Sequence, residues 1–245
     1  MNQYQDVYAA PNVVAAQPAT TRAEFIRKTY LHLAGAIGVF ALLLFGACYL
    51  AISTGTDQVI LEKTSGYGWF VVLGAFMVTS WIANSWAQSS TSKATQYAGL
   101  ALYTVAEALI FTPLILTVFS YLNVSASIEL LMNAGIITST LFVGLSFIVL
   151  TTKKDFSFLG GILKIGFFVA LGIIIVAMLG GLNLGLWFSV VMVALASASI
   201  LYNTSNMLHH YRTDQYVAAS LGLFASFALL LWYVIQILLS FASSD

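Results

Sequence analysis

The sequence predicts an all-α polytopic membrane protein with seven transmembrane helices. Sixty percent of its 245 residues are apolar and only 7% are charged, against about a quarter charged in an ordinary soluble domain. Seven apolar stretches alternate with short polar breaks, and each is about 20 residues long, enough to cross a hydrocarbon core of about 30 Å as a helix. The alternation that barrel strands need is absent, which leaves the helix as the way to satisfy every backbone group in lipid.

Taken in order, residues 1 to 21 are rich in Ala, Gln, Asn and Thr, include Pro11 and Pro18, and show no periodicity. They read as a disordered tail before one domain over 22 to 245. Arg22, Glu24, Arg27 and Lys28 form a charged collar that sets a membrane boundary near Thr29. The first span, near 29 to 52, has Ala34 and Gly38 at a spacing that permits close helix contact. The second, near 68 to 88, is flanked by Tyr67, Trp69, Trp81 and Trp86, whose amphipathic rings suit the headgroup region. The third, near 97 to 120, holds Glu107 and Pro113. The fourth, near 128 to 150, carries Asn133, Thr138, Ser139, Thr140 and Ser146. The fifth, near 159 to 180, has the small pair Gly166 and Ala170. Only Gly180, Gly181, Leu182 and Asn183 separate it from the sixth, near 184 to 208, but a fused helix of about 50 residues fits no bilayer. In the sixth, Ser199, Asn203, Asn206 and His210 lie along one face. The seventh, near 216 to 241, has a second polar stripe of Gly222, Ser226, Tyr233, Gln236 and Ser240, and the short loop before it makes these two helices antiparallel neighbours.

Charge fixes the expected orientation. Eight of the 9 basic residues fall on the side of the amino terminus, and only Lys63 lies on the other side. The amino terminus is therefore expected to be cytoplasmic and the carboxyl terminus outside. Nine acidic residues balance the bases, which leaves no basic field for nucleic acid. The single cysteine, Cys48, excludes an internal disulfide framework and a Cys-based zinc site. His209 and His210 are adjacent, a poor metal pair, and suit the end of a helix. No HExxH, GxSxG, P-loop or GxGD motif occurs, and no lysine sits in the last span for a retinal Schiff base, so neither an enzyme nor a metal or cofactor site is expected.

Glu107 is the most informative residue. A carboxylate near the middle of a span costs roughly 2.5 to 3.5 kcal/mol on insertion scales, so it needs a partner, a proton or a water-filled cavity. No base lies at comparable depth in another span. Pro113 removes the hydrogen bond to the Leu109 carbonyl and is expected to kink the helix a turn beyond the acid. Both features suit a helix that bounds a cation or proton path. Interhelical hydrogen bonding would account for any single Ser or Thr of the polar stripes; together with the asparagines, the stripes equally suit a hydrated path.

TTKKDFSFLGGIL, residues 151 to 163, and ILYNTSNMLHHYRTDQYVAASLGLF, residues 200 to 224, resemble the Bax inhibitor 1 family, of the bacterial type. EALIFTP at Glu107 to Pro113 and AGIITSTLF at Ala134 to Phe142 extend the resemblance, which covers about Arg22 to Phe241. Lys153, Lys154 and Asp155 belong to the family's loop motif. The resemblance implies a last helix at the centre of the other six, and passive passage of calcium or other cations under the control of two aspartates on the last two helices. In this chain those positions are Asn203 and, by alignment, Ser226, with Ala225 or Phe227 one register step away. An Asn and Ser pair has nothing to titrate, so pH gating is expected to be weak or lost.

Two functions follow as expectations. The first is a cation leak in a bacterial inner (plasma) membrane, or in the ER membrane of a eukaryote, with Glu107, Pro113, Asn203, Asn206 and Ser226 along its path or gate. The second is a non-conducting regulator that binds membrane proteins, such as a membrane protease, through its lipid-facing helices and amino-terminal tail.

Overall fold

The computed structural model describes residues 12–89, 92–180 and 184–242. Among these, all regular structure is helical apart from one isolated bridge. The helices are α1 (Ala19–Thr54), α2 (Asp57–Lys63), α3 (Tyr67–Ala87), α4 (Lys93–Tyr121), α5 (Val124–Thr152), α6 (Leu159–Gly180), α7 (Gly185–His209) and α8 (Tyr216–Ala242). All but α2 are long and apolar enough to cross a bilayer, and the protein is a multi-pass membrane protein.

Local sequence accounts for the helix limits. The Ser92 hydroxyl accepts from the Thr95 N–H at the start of α4, and the Asn123 side chain accepts from the Ala126 N–H at the start of α5, which satisfies donors that a helix start leaves open. Gly55 ends α1 with φ 68°, and Gly185 opens α7 with φ 64°, a region glycine enters at no steric cost. The short α2, inside a loop that hydropathy reads as polar, has Asp57 in its first turn and Lys63 in its last, each matched to the helix dipole.

The centre is a pair of helices. α8 packs against α1, α3, α4, α5 and α7, and α4 is at least as deeply buried as α8. α6 leans on α7, one layer out from α8. Aromatic edges fill the middle: Phe40 meets Phe111 and Phe224 at 5.0 and 5.7 Å, and Phe142 meets Phe227 at 5.7 Å. Such edge-to-face pairs add to the gain from buried area alone.

The sequence expectation of disorder over 1 to 21 is corrected from Asn12 onward. Val14 is fully buried, its N–H donates to the Tyr211 carbonyl (3.0 Å), and Thr213 N–H donates to the Asn12 carbonyl (3.0 Å). α1 already starts at Ala19, because Phe25, Thr29 and Leu33 repeat every fourth residue and bury one face before the apolar run is under way. Residues 1 to 11 of the expected tail, and Gly181 to Asn183 between the fifth and sixth spans, lie outside the described residues.

Candidate functional site

The candidate site is built on α4, α7 and α8. Tyr103, Glu107 and Phe111 follow one another at helical spacing on α4 and all are buried, Glu107 to 5% exposure. The Tyr103 hydroxyl, one turn before the acid, is the side-chain neighbour of its carboxyl. α4 continues unbroken through Pro113, with the Thr112 hydroxyl donating to the Ala108 carbonyl (2.8 Å) and the Thr117 hydroxyl donating to the Pro113 carbonyl (2.7 Å). Neither acceptor is the Leu109 carbonyl that the proline leaves open, and hydroxyls bonded back in this way favour a bend in the helix.

Opposite this face, Asn203 on α7 donates through Nδ2 to Ser226 Oγ on α8 at 2.8 Å and to Ser199 Oγ at 3.2 Å. The Ser199 and Ser226 oxygens are 2.8 Å apart, and the Ser226 hydroxyl reaches the Gly222 carbonyl at 3.1 Å. Gly222 eases the contact, since a Cβ there would lie 3.2 Å from Asn203 Oδ1 and the amide would have to shift by a few tenths of an ångström. Of the three α8 positions left open by alignment, Ser226 is the one bonded to Asn203.

Glu107, Ser199, Asn203 and Ser226 line one cavity of about 730 Å³ bounded by α3, α4, α6, α7 and α8. A second, of about 670 Å³, adjoins it through Met178, Leu184 and Gln236 and continues past Ser189 and Ser240 to Tyr121, at the end away from the amino terminus. Toward the amino-terminal end, α7 and α8 close on each other: Thr204, Met207, Val217 and Ser220 have no exposed surface. The cavities therefore reach from the level of Asn203 to one end of the bundle.

Two sequence-derived positions fall elsewhere. Pro113 is buried on α4 but lines neither cavity. Asn206 also lies outside both, and its carbonyl accepts from the His210 and Tyr211 N–H groups at 2.8 and 3.1 Å, ending α7. Its place in the polar stripe does not extend the cavity, because the packed layer intervenes.

The loop motif forms a separate docking point. Lys153 closes α5 with φ 53°, the one left-handed non-glycine among the described residues, and Lys154 is exposed. Asp155 accepts from the Ser157 N–H at 2.8 Å and from the Ser205 hydroxyl at 3.2 Å, with His210 Nε2 3.8 Å away. The Phe156 N–H donates to Ser205 Oγ at 2.8 Å. Partial burial pushes the Asp155 pKa up, but the N–H and hydroxyl of Ser157, the Ser205 hydroxyl and His210 together outweigh it and hold the carboxyl below its ordinary value. Ser205 was not legible as a site residue, since it lies off the Ser199, Asn203 and Asn206 face.

The family model described as inhibitor of apoptosis-promoting Bax1 matches residues 22–243. The chain belongs to the Bax inhibitor 1 family. Among relatives, an uncharacterized protein of Pseudomonas aeruginosa is 35% identical over 176 residues, covering 69% of this chain and 72% of that protein. The modulator of FtsH protease YccA of Escherichia coli is 38% identical over 109 residues, covering 44% of this chain and 49% of its own. In a second Escherichia coli strain the relative, with the same identity and coverage, carries the name inner membrane protein YccA. On the last two helices the neutral Asn203 to Ser226 contact occupies the positions where the sequence resemblance implies a pair of aspartates.

Proposed function

We propose that the protein is a passive cation leak, for calcium or other cations, and no enzyme. It sits in a bacterial inner membrane with the amino terminus cytoplasmic. Glu107 supplies the negative charge of the path, and the contact of Asn203 with Ser226 holds the gate on the amino-terminal side. The observation that carries this reading is that the acid and the contact line the same cavity. An intramembrane acid facing a cavity is characteristic of an ion pathway. Flux into liposomes loaded with a calcium dye tests it. Wild-type protein is expected to conduct above empty vesicles with little change between pH 6 and 8, and Glu107→Gln to cut flux or cation selectivity several-fold. No flux at any pH in that range defeats the reading.

A second reading is favoured by the name of the Escherichia coli relative, a modulator of a membrane protease. This chain would then bind such a protease through its lipid-facing helices without conducting. Copurification with a membrane-bound protease, unaltered by Glu107→Gln, together with absent flux, separates this reading from the first.

A further inference from the structure

The larger cavity is also a lateral cleft. α3 packs on α4 and α8, whereas α6 packs on α7, and among the described residues α3 and α6 share no more than a marginal contact. Both nevertheless line the cavity, α3 through Trp69 and Phe76 and α6 through Phe167. Phe167 and Trp81, both lining the cavity, are 50% and 72% exposed, so the space between the two helices is open, at the depth of the acyl chains.

The walls of this cleft are largely aromatic. Trp69 stacks with Trp232 at 5.8 Å, and Phe111 meets the Trp232 ring edge-on at 5.1 Å. Tyr103 and Phe76 form a further ring pair at 6.1 Å. Glu107 is the one ionisable acid among the lining residues, and no Lys, Arg or His lines the wall. Aromatic faces attract cations within about 6 Å of a ring centroid, and more strongly where water is excluded. The volume, about 730 Å³, lies within the roughly 300 to 1,000 Å³ range of small-molecule sites. A single buried carboxyl inside aromatic walls, reached from lipid, favours a guest that is both greasy and positively charged, since a cation beside it stabilises the ionised form. An anion would find no counter-charge, and a neutral acyl chain would leave Glu107 without one.

We propose that the cleft between α3 and α6 binds lipophilic organic cations drawn from the bilayer, with Glu107 as counter-ion and the Trp69, Trp232 and Phe111 rings as walls. Such binding requires no conduction, and because it uses the same Glu107 a bound organic cation would compete with an ion in the leak path.

The test is equilibrium binding of tetraphenylphosphonium to the full chain in nanodiscs, after subtraction of partition into protein-free nanodiscs. Tetraphenylborate, an anion of the same shape, is the control. The expected result is one saturable site for tetraphenylphosphonium and none for tetraphenylborate. Glu107→Gln is expected to weaken binding by about tenfold or more, because the counter-charge is lost in a low-dielectric site. Leu73→Trp fills the cleft from α3 without changing charge and is expected to abolish saturable binding while Glu107 is retained. Absence of a saturable site overturns the proposal, as does equal binding of both ions to the wild type. Wild-type affinity in either folded variant overturns it too. Should Glu107→Gln fail to fold, the ion pair comparison on the wild type and the Leu73→Trp variant decide alone.

Discussion

At Ser226 one hydroxyl oxygen receives two contacts from α7, one from Asn203 and one from Ser199. The two variants at this point should therefore rank differently. Interhelical hydrogen bonds in membranes are worth about 0.6 kcal/mol on average. Asn203→Ala removes one, and an open-to-closed ratio is expected to rise roughly threefold; Ser226→Ala removes both and is expected to raise it roughly eightfold. Liposome flux of the two variants checks the order, and equal flux from both and the wild type removes the gate from this contact. Asp155 gives a prediction with a pH sign. Its folded-state pKa lies below the ordinary 3.8, so its contribution to stability is complete above that value and is lost as pH falls through the lower folded value. Asp155→Asn is thus expected to lower the thermal midpoint at pH 6, with the gap to wild type closing as pH falls through the lowered folded-state value. The reason is local: protonation removes the same negative charge that the substitution removes.

Helix contacts set the next scale, and glycine controls the closest of them. A Cβ on Gly99 would stand 2.5 Å from the Ala83 carbonyl oxygen and 2.6 Å from the Ala87 nitrogen, both backbone atoms of α3. Backbone cannot rotate away, so Gly99→Ala is expected to push α3 from α4 and to cost about 1 to 3 kcal/mol. At Gly166 the added carbon meets only the Leu195 side chain, which can change rotamer, so Gly166→Ala should be nearly neutral. Detergent unfolding of the two variants checks the contrast. At this scale the sequence was most informative: hydropathy placed all seven spans, because crossing lipid requires a contiguous apolar run whatever the helix later touches. It missed α2, whose seven residues are too few for a periodic signal. It also missed the early start of α1, where three buried positions, Phe25, Thr29 and Leu33, precede or straddle the collar boundary. Glu107 and the Asn203 position were legible as chemistry, but their shared cavity was not, since residues 107 and 203 are brought to one cavity by packing that no local pattern encodes. Ser205 had no signal at all, because its partner Asp155 lies fifty positions away.

Across the whole molecule, the seven spans put the amino terminus and the residues Lys93, Lys153, Lys154 and Arg212 at one end, and Lys63 at the other. A cysteine introduced at Lys63 is expected to react with an impermeant reagent applied outside intact cells, and one at Lys154 only after the membrane is opened. The opposite pattern inverts the topology and moves the gate to the other side. The same end carries the strap from Asn12 to Gln17, hydrogen-bonded to the turn between α7 and α8 at Tyr211 and Thr213. That turn is the elbow of the two helices joined by Asn203 and Ser226. The strap is thus a tether on the elbow: any scissoring of α7 against α8 has to reel the start of the chain in or let it out, and a label placed there would read the motion from outside the membrane plane.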